Sequence, residues 1–352
     1  MLYGDMSNRI MTILRGYSPN VEVYSIDESF LSLNGLATLW ESPTVMGQHI
    51  RKKILQWTAL PVSVGIGSSK TLAKLANHIG KKMPLFDGVC DLSTMSAARM
   101  HWLFSRISVG EVWGVGRRIQ TRLHEMGITT VQDLKDVAPR SMREQFGVVM
   151  ERTCNELRGV SCLALEEVVP PRKEIVSSRS FGNMVIAIDA LAEAVTMYIG
   201  RACEKLRTQQ SLCGAIHVFI QTNRFREQDP QYSNGLTVPL VEPTDDNRRL
   251  ANAALQGLNA IYRGGYQYKK AGIMLMNLTP NTQRQNDLFR DSIERENSVK
   301  IMQVLDEMNV RYGRDTVQLG SSGTSRHWAM RAENKMPCYT TRWEELPITH
   351  AK

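Results

Sequence analysis

The sequence predicts an α+β protein of several domains, and three observations point to this fold class. First, 352 residues with 42% apolar and 22% charged side chains suffice for two or three domains with hydrophobic cores. Second, apolar patterns of period two alternate along the chain with patterns of helical period. Third, the run Pro170-Pro171-Arg172-Lys173 interrupts these patterns midway, which predicts a linker.

The first third of the chain predicts a small mixed sheet with helices. Residues 21–33 place apolar side chains on either side of a short polar centre, which indicates two strands that meet at a tight hairpin. Apolar residues then recur at helical spacing and predict a helix: Met46, Ile50, Ile54 and Trp57. We expect a buried strand over residues 60–67 and a helix over residues 69–82, an order typical of an α+β domain.

Residues 100–165 predict short helices broken by glycine. Beyond the linker, the sequence predicts a compact β-α-β-β-α-β domain of about a hundred residues, which is a usual domain size. Its elements are expected over residues 172–182, 191–206, 216–220, 236–241, 247–262 and 267–277. From residue 279 the chain turns polar, and a regular helix is expected only near residues 298–310.

Composition narrows the function classes. Residues 283–352 hold 11 Lys and Arg against 10 Asp and Glu, so nearly all of the net charge of +8 precedes them and suits a nucleic-acid partner. The six cysteines include no C-x-x-C pair, which argues against a zinc site and predicts buried, reduced thiols. No apolar run reaches the ~18 residues of a membrane helix and no signal-peptide pattern opens the chain, so we expect a cytoplasmic protein.

Two carboxylates stand side by side at the predicted strand reversal, in the sequence Ser25-Ile26-Asp27-Glu28. In a regular strand Asp27 and Glu28 would point to opposite faces, so only a turn or bulge lets both reach one site. Hard divalent ions such as Mg²⁺ need oxygen ligands of this kind. Taken alone, the pair is also typical of a solvated corner between two strands.

Downstream, residues 65–69 link a strand to a helix through small side chains. A helix start offers free N–H groups and a positive dipole end to phosphate, although a plain strand-to-helix turn also explains this pattern. The spacing is not that of a Walker A loop. Lys70, Lys74 and Lys81 recur at the helical period and are expected on roughly one face.

Together, the Ser-Ile-Asp-Glu hairpin and the run Val-Gly-Ile-Gly-x-x-Lys-x-Leu-Ala-Lys-Leu-Ala at residues 64–76 resemble the palm domain of Y-family DNA polymerases. The resemblance implies template-directed nucleotidyl transfer from dNTP to a primer–template, including damaged DNA, with two Mg²⁺ ions as cofactor. By this match Asp27 and Glu28 are the catalytic metal ligands, and Lys81 meets the incoming triphosphate. In such a site the two ions hold the attacking 3′-hydroxyl and the leaving pyrophosphate in line.

The chain also departs from the family pattern. Family members begin with a strand that carries a further metal-binding aspartate, followed by a small fingers domain. Met1 corresponds to a point just before the hairpin, so the resemblance implies a partial palm, and Asp5 lies in the wrong segment to replace the missing carboxylate. Because a two-metal centre without a bridging carboxylate should lose most of its rate, we expect little or no nucleotide incorporation by the polypeptide alone.

Residues 112–134 resemble a helix-hairpin-helix, the element that grips DNA in the thumb of these polymerases. Gly114 and Gly116 would let the backbone approach a phosphate, whose charge Arg117, Arg118 and Arg122 would meet. An ordinary helical turn with exposed arginines is the alternative.

The β-α-β-β-α-β unit matches the little-finger domain of the family, which lies across the major groove. Residues 172–281 hold 13 Lys and Arg against 9 Asp and Glu. Arg179, Arg224 and Lys270 are the candidates for phosphate contact, although a basic strand residue is more often merely solvated.

The polar tail holds the sequence Gln285-Asn286-Asp287-Leu288-Phe289, which matches the Gln-x-x-Leu-Phe peptide by which polymerases dock on the sliding clamp. Residues 314–316 and 337–343 resemble the C-terminal extension of the UmuC branch of the family. Members of this branch work with the UmuD' dimer and with a RecA filament, so the resemblance implies both as partners. Trp328 and Trp343 are expected to be exposed, either as interface anchors or in local packing.

The resemblance implies four parts: a partial polymerase palm (1–99), a helical thumb with the helix-hairpin-helix (100–169), a little finger (170–281) and a C-terminal extension with the clamp peptide (282–352). The first functional hypothesis is error-prone translesion synthesis in the SOS response to DNA damage, by the catalytic subunit of a DNA polymerase V. The alternative is a non-catalytic remnant that binds DNA and the clamp. A helix-hairpin-helix repair nuclease is a third hypothesis, but it leaves the acidic hairpin and the clamp peptide unexplained.

Overall fold

The computed structural model describes residues 2–36, 38–166, 171–283, 292–324, 327–330 and 336–349. The chain divides into two compact units. The first consists of Met1–Val169 with Met336–Lys352, and the second of Pro170–Lys335.

The first unit combines two small sheets with eight α-helices among its described residues. Its elements in chain order are α1 (Leu2–Arg15), β1 (Val21–Val23), β2 (Ser29–Leu31), α2 (Pro43–Thr58), β3 (Val64–Ile66), α3 (Lys70–Lys82), β4 (Val89–Asp91), α4 (Ala97–Phe104), α5 (Arg117–Glu125), α6 (Val131–Asp136), α7 (Pro139–Phe146) and α8 (Val148–Leu157). Strands β1 and β2 pair antiparallel, with Val21 opposite Leu31, and β3 and β4 pair parallel. The predicted hairpin and the predicted helices over α2 and α3 are confirmed.

The sequence patterns did not predict α1 or β4, and they predicted a longer β3 than the structure has. In α1 Met11 and Leu14 are buried and Ile10 and Ile13 pack beside them, so this helix was within reach of the apolar pattern although it was not predicted. Strand β4 has three residues, which is too short for a periodic signal. The strand expected from residue 60 begins only at Val64, and Pro61 just before it lacks the N–H that a strand ladder needs.

Helix α3 packs directly on β3, and this contact positions the lysines of the helix. A Cβ atom added to Gly65 would lie 2.1 Å from the backbone nitrogen of Asn77, so only glycine allows this approach. Ser69 caps the helix, because its hydroxyl accepts the N–H of Leu72. One hydrophobic core then runs from α3 to α8, and the predicted boundary at residue 99 falls inside it. Its buried members include Leu72, Leu75, Ile79, Phe104, Leu123, Leu134 and Cys154.

The second unit has the predicted β-α-β-β-α-β order. Its elements are β5 (Ile175–Val185), α9 (Ile188–Thr208), β6 (Ser211–Thr222), β7 (Ser233–Thr244), α10 (Asn247–Ile261), β8 (Tyr268–Pro280) and α11 (Ser292–Tyr312). The sheet is antiparallel with strand order β5-β8-β6-β7. Side chains of α9 and α10 form its hydrophobic core with inward-facing residues of the strands, among them Ile216, Val218 and Ile220.

Helix α11 is fixed to this unit by charged and polar contacts. The Arg207 guanidinium donates two hydrogen bonds of 2.6 Å to the Asp306 carboxylate. The Ser298 hydroxyl donates to Asp246 at 2.6 Å, and Met302 is buried beside the N-terminus of α10. The predicted helix over residues 298–310 is therefore confirmed and extends in both directions.

The expectation that Trp328 is exposed is wrong. Its side chain is 5% exposed and packs edge to face on Phe181 and Tyr198, with ring centroids 6.1 and 5.9 Å away. Trp328 therefore takes part in local packing, which was the alternative to an interface anchor. The polar sequence around it gave no sign of the apolar site that receives it in the second unit. Trp343 is exposed as expected, at 83%.

The cysteines are free thiols, and four of them are buried: Cys90, Cys154, Cys203 and Cys213. Burial raises the pKa of Cys90 to about 12 and that of Cys154 to about 11, so neither is a thiolate at neutral pH. None of the helices within the described ranges combines the length and the apolar composition that a membrane span requires.

Candidate active site

The hairpin between β1 and β2 brings two carboxylates to one place. The N–H groups of Tyr24 and Ser25 both donate to the Glu28 carbonyl, at 3.1 and 3.0 Å, and close a short loop. The Ser25 hydroxyl donates to Asp27 Oδ1 at 2.6 Å. Because the loop replaces regular strand geometry, Asp27 and Glu28 line the same cavity, which has a volume of about 640 Å³.

Helix α3 contributes two lysines to the hairpin. Lys74 forms an ion pair with Glu28, and Lys70 Nζ lies 2.5 Å from Glu22 Oε2. The Lys74 ammonium group also lies 5.3 Å from the centroid of the Tyr24 ring and 6.0 Å from that of Trp113. The two helix cations therefore offset charge on two of the three carboxylates of the hairpin.

Lys81, the predicted triphosphate ligand, lies about two turns beyond Lys74 on α3. Its side chain is exposed to solvent and lies outside the set of described residues that line the cavity. The structure thus brings Lys70 and Lys74 to the carboxylates, whereas Lys81 stands further along the same helix.

A segment that follows α8 covers one side of the cavity. Ser161, Leu163, Ala164 and Leu165 line the cavity, and the buried Glu156 carboxylate holds their segment by accepting the N–H groups of Cys162 and Leu163 at 2.7 and 3.1 Å. Glu156 also accepts the N–H of Thr71 at 2.9 Å, in the first turn of α3. One buried carboxylate therefore joins this segment to the helix that carries the lysines.

The carboxylates suit a hard divalent ion by their chemistry. Mg²⁺ commonly takes one or two protein carboxylates and fills its other positions with water and phosphate oxygens, which Asp27 and Glu28 allow. Glu22 is held by Lys70. Among the residues that the structure describes, no three His, Cys, Asp or Glu side chains form a metal-binding group. Asp27 and Glu28 therefore fit as two ligands of an ion that takes its remaining ligands from elsewhere.

The predicted helix-hairpin-helix has an open helix start. Gly114 has a φ of +92°, and Gly116 is the N-cap of α5. No side chain in the described part of the chain caps this helix start, so its first N–H groups are open to an anion. Arg117 and Arg118 are exposed beside them. Arg122 differs, because its guanidinium stacks 4.3 Å from the Phe146 ring centroid and donates to the Gln145 carbonyl.

In the second unit, the three basic candidates do not share one surface. Lys270 pairs with Ser180 across the β5–β8 ladder, so Arg179, the neighbour of Ser180, points to the opposite face of the sheet. Arg224 lies in the turn after β6, with its guanidinium 5.2 Å from the Phe225 ring centroid. The clamp peptide residues Gln285, Leu288 and Phe289 lie outside the described residues.

Glu22, Glu156 and Trp113 are parts of the site that the sequence did not single out. Glu22 and Glu156 are charged residues at buried positions, and their partners are far away in the chain. The Trp113 indole N–H donates to the Tyr24 hydroxyl at 3.3 Å, which joins the thumb-like segment to the hairpin. For Glu22, the sequence offered one signal, which is an acidic side chain at an inward-facing position of a predicted strand.

Comparison with known families gives four matches along the chain. Residues 1–78 match the model of the impB/mucB/samB family, and residues 172–288 match the model of its C-terminal domain. Residues 111–150 match the thumb domain of DNA polymerase iota. Residues 299–348 match a domain of unknown function.

Curated relatives cover nearly the whole chain. Protein UmuC of Salmonella typhimurium is 45% identical over 346 residues, which are 98% of this chain and 81% of that protein. Protein MucB of Escherichia coli is 40% identical over 351 residues, covering 100% of this chain and 82% of MucB. DNA polymerase IV of Moorella thermoacetica is 27% identical over 335 residues, which are 92% and 77% of the two chains.

A solved structure shares the fold. A Y-family DNA polymerase chimera of Dbh and Dpo4 superimposes with a TM-score of 0.58 at 21% identity, over 79% of this chain and 77% of the chimera. This likeness supports the α+β architecture that the sequence predicted.

Proposed function

This chain belongs to the impB/mucB/samB family of UmuC-type Y-family DNA polymerases, and on that premise we propose that it copies damaged DNA with low fidelity in the SOS response. Family membership makes it a DNA-directed DNA polymerase of the translesion class. Its proposed role is that of the catalytic subunit of a DNA polymerase V.

The observation that carries the proposal is the meeting of Asp27 and Glu28 with the lysine-bearing helix α3 at one cavity. Asp27 and Glu28 would hold Mg²⁺, which when bound offsets charge on the triphosphate and on the attacking 3′-hydroxyl. The chain's own residues keep the two carboxylates adjacent and place cations on α3. Lys81, exposed on that helix, would meet the outer phosphates of dNTP.

We also propose how the parts of the chain meet DNA and its protein partners. We assign residues 1–99 to a palm, 100–169 to a thumb, 170–281 to a little finger and 282–352 to a C-terminal extension. The free N–H groups at the start of α5, with Arg117 and Arg118, would hold two neighbouring backbone phosphates of the primer–template. The UmuD' dimer, a RecA filament and the sliding clamp would be its protein partners. A DNA substrate would place the protein in the cytoplasm.

Single-turnover primer extension on an abasic template, with the protein in excess and with the UmuD' dimer and RecA filament added, tests this function. We expect Mg²⁺-dependent incorporation that falls at least ~100-fold in Asp27→Asn and in Glu28→Gln, because each change removes a charged metal ligand. Without the added partners, we expect little or no incorporation, because the proposed role is that of a subunit that works together with them. Robust extension by the purified chain alone would contradict that second expectation.

The alternative, a non-catalytic remnant, predicts a different pattern. Primer–template and clamp binding would persist, while no variant and no added partner would reveal incorporation. Equal incorporation by the wild type and by Glu28→Gln would also contradict the proposed site, because the activity would then arise elsewhere or from a contaminant.

Clamp docking is tested through the peptide at residues 285–289. Replacing both apolar residues, Leu288→Ala and Phe289→Ala, should abolish binding to the purified clamp, because the peptide then lacks the two side chains that fill the apolar pocket of the clamp. Surface plasmon resonance with immobilised clamp measures the effect. Asn286→Ala, which changes a variable position of the motif, is the matched control and should bind within about twofold of the wild type. Retained binding in the double variant would show that the chain docks through another segment.

A further inference from the structure

Lys74 forms an ion pair with Glu28, one of the two carboxylates that are proposed to hold the metal. Its ammonium group pairs with Glu28 and lies against the rings of Tyr24 and Trp113. These two rings meet edge to face at a centroid distance of 5.4 Å, and their hydrogen bond holds them together. One carboxylate and two aromatic faces therefore form a preformed site for a cation.

A divalent ion and Lys74 would compete for the same carboxylate. Glu28, Asp27 and Lys74 all line one cavity, so an ion that enters it meets all three side chains. With Lys74 in place, the two carboxylates and the lysine sum to one net negative charge. Removing the lysine would restore two, and the attraction for a divalent ion rises with that charge.

We propose that Lys74 is a displaceable counter-ion of the active site. Lys74 neutralises Glu28 in the absence of nucleotide, and it leaves the carboxylate when a divalent ion and a triphosphate bind together. The displaced ammonium group then faces the charge of the triphosphate. The same side chain thus weakens binding of the metal alone and favours metal that arrives with nucleotide.

Solvent access distinguishes Lys74 from Lys70, the neighbouring lysine of α3. The side chains of Lys74 and Glu28 are 20% and 41% exposed, whereas those of Lys70 and Glu22 are 10% and 9% exposed. Glu22 also accepts the N–H of Glu166 at 2.8 Å. Partly exposed ion pairs exchange partners at small cost, while a buried pair with further hydrogen bonds is a fixed structural contact.

Terbium luminescence of the full chain tests the proposal without nucleotide incorporation. Tb³⁺ binds carboxylate oxygens, and the nearby Trp113 and Tyr24 should sensitise its emission. We expect Lys74→Met to tighten Tb³⁺ binding about fivefold or more at low salt, and the gain to shrink in high salt. Lys74→Arg keeps the charge and should bind like the wild type. Lys82→Met removes an equal charge from the exposed end of α3 and should change the affinity less than about twofold.

A second arm measures the effect of nucleotide. A non-hydrolysable dNTP analogue should tighten Tb³⁺ binding in the wild type more than in Lys74→Met, because only the wild type offers the displaced ammonium group. Glu28→Gln should remove most of the sensitised emission. Urea unfolding of each variant checks that it folds, and Lys74→Gln serves as a second neutral variant if Lys74→Met does not.

The proposal rests on the metal role proposed for Asp27 and Glu28, but its test can fail separately. If Asp27 and Glu28 support extension while Lys74→Met binds Tb³⁺ no tighter than the wild type, the counter-ion role is wrong and the polymerase function stands. If Lys74→Met tightens Tb³⁺ binding while no condition yields extension, the counter-ion role stands and the function fails. Absence of Glu28-dependent Tb³⁺ binding in every variant would overturn the counter-ion role.

Discussion

Glu22 and Lys70 form a buried ion pair that attaches the acidic hairpin to α3. The Glu22 carboxylate links three segments, since it accepts from Lys70 at 2.5 Å and from the N–H of Glu166 at 2.8 Å. The Lys70 ammonium group also lies 5.2 Å from the Phe30 ring centroid. Taking two charges out of water costs free energy that their mutual attraction only partly offsets, so removing one partner leaves the other buried and uncompensated.

We expect Glu22→Gln to lower the free energy of unfolding by about 3 kcal/mol, because Lys70 would keep its charge at a buried position without an anion. Urea unfolding followed by circular dichroism measures the change. The control, Lys82→Met on the exposed end of the same helix, should stay within about 0.5 kcal/mol of the wild type. The double variant Glu22→Leu with Lys70→Met should recover most of the loss. A loss below about 1 kcal/mol in Glu22→Gln would show that the pair does not hold the hairpin.

For single residues, the sequence indicated that Asp27 and Glu28 share one loop and that Lys70 and Lys74 share one helix face, but not which groups they contact. Adjacent acids at a strand reversal must share a loop, and lysines four apart on a helix must share a face, so both groups follow from local geometry. The pairing of Lys74 with Glu28 spans 46 positions and depends on how α3 packs against the hairpin. The buried Glu156 was missed for the same reason, since its partner Thr71 is 85 positions away.

Among the elements, α11 depends on the protonation state of Asp246. This carboxylate, 2% exposed, accepts the N–H of Arg248 at the start of α10 and the hydroxyl of Ser298 from α11. Burial alone would raise the pKa of Asp246, but hydrogen bonds from Arg248 and Ser298 hold the pKa below its ordinary value of 3.8. A carboxyl with a lowered folded pKa stabilises the fold above its ordinary value, and this contribution is lost as the pH falls through the folded value.

We therefore expect α11 to loosen in acid, below about pH 3.8, before the sheet of the second unit unfolds. Hydrogen exchange compared at about pH 5 and about pH 2.5, corrected for intrinsic rates, measures this as a loss of protection in α11 and at the start of α10. Ser298→Ala removes one hydrogen bond to the carboxylate and should shift the loss toward higher pH. The loss in strands β6 and β8 provides the internal reference. Equal protection of α11 at both pH values would contradict the prediction.

The elements themselves were largely predictable, because periodicity is a local property. Helices α2, α3, α9 and α10 carry clear apolar faces, and the period-two pattern of β6 marks a half-buried strand. The burial of Trp328 could not be predicted, because its site on Phe181 and Tyr198 arises only when α9 and β5 come together.

For the molecule as a whole, the net charge and the placement of basic side chains indicate where it can contact DNA. The net charge of +8 favours a polyanion, and membership in a family of DNA polymerases identifies that polyanion as DNA. Basic side chains on the little-finger-like unit lie on different faces of its sheet, so charge alone does not define one DNA surface there. The open start of α5, with two exposed arginines beside N–H groups that lack a side-chain cap, is the best-defined candidate for a phosphate contact among the described residues.

The salt dependence of primer–template binding tests this site. Neutralising a DNA phosphate releases counter-ions, so the logarithm of the affinity should fall steeply and linearly with the logarithm of salt concentration. Replacing Arg117 and Arg118 together by Gln should reduce the magnitude of this slope by about 1.8, at about 0.9 for each lost phosphate contact. Fluorescence anisotropy of a labelled primer–template, measured over a series of KCl concentrations, gives both slopes. Arg9→Gln, which removes a charge already paired with Asp5 on α1, should leave the slope unchanged. A flat salt response of the wild type would mean that the protein does not bind DNA through phosphates. An unchanged slope in the double variant would show that the phosphate contacts do not lie at the start of α5.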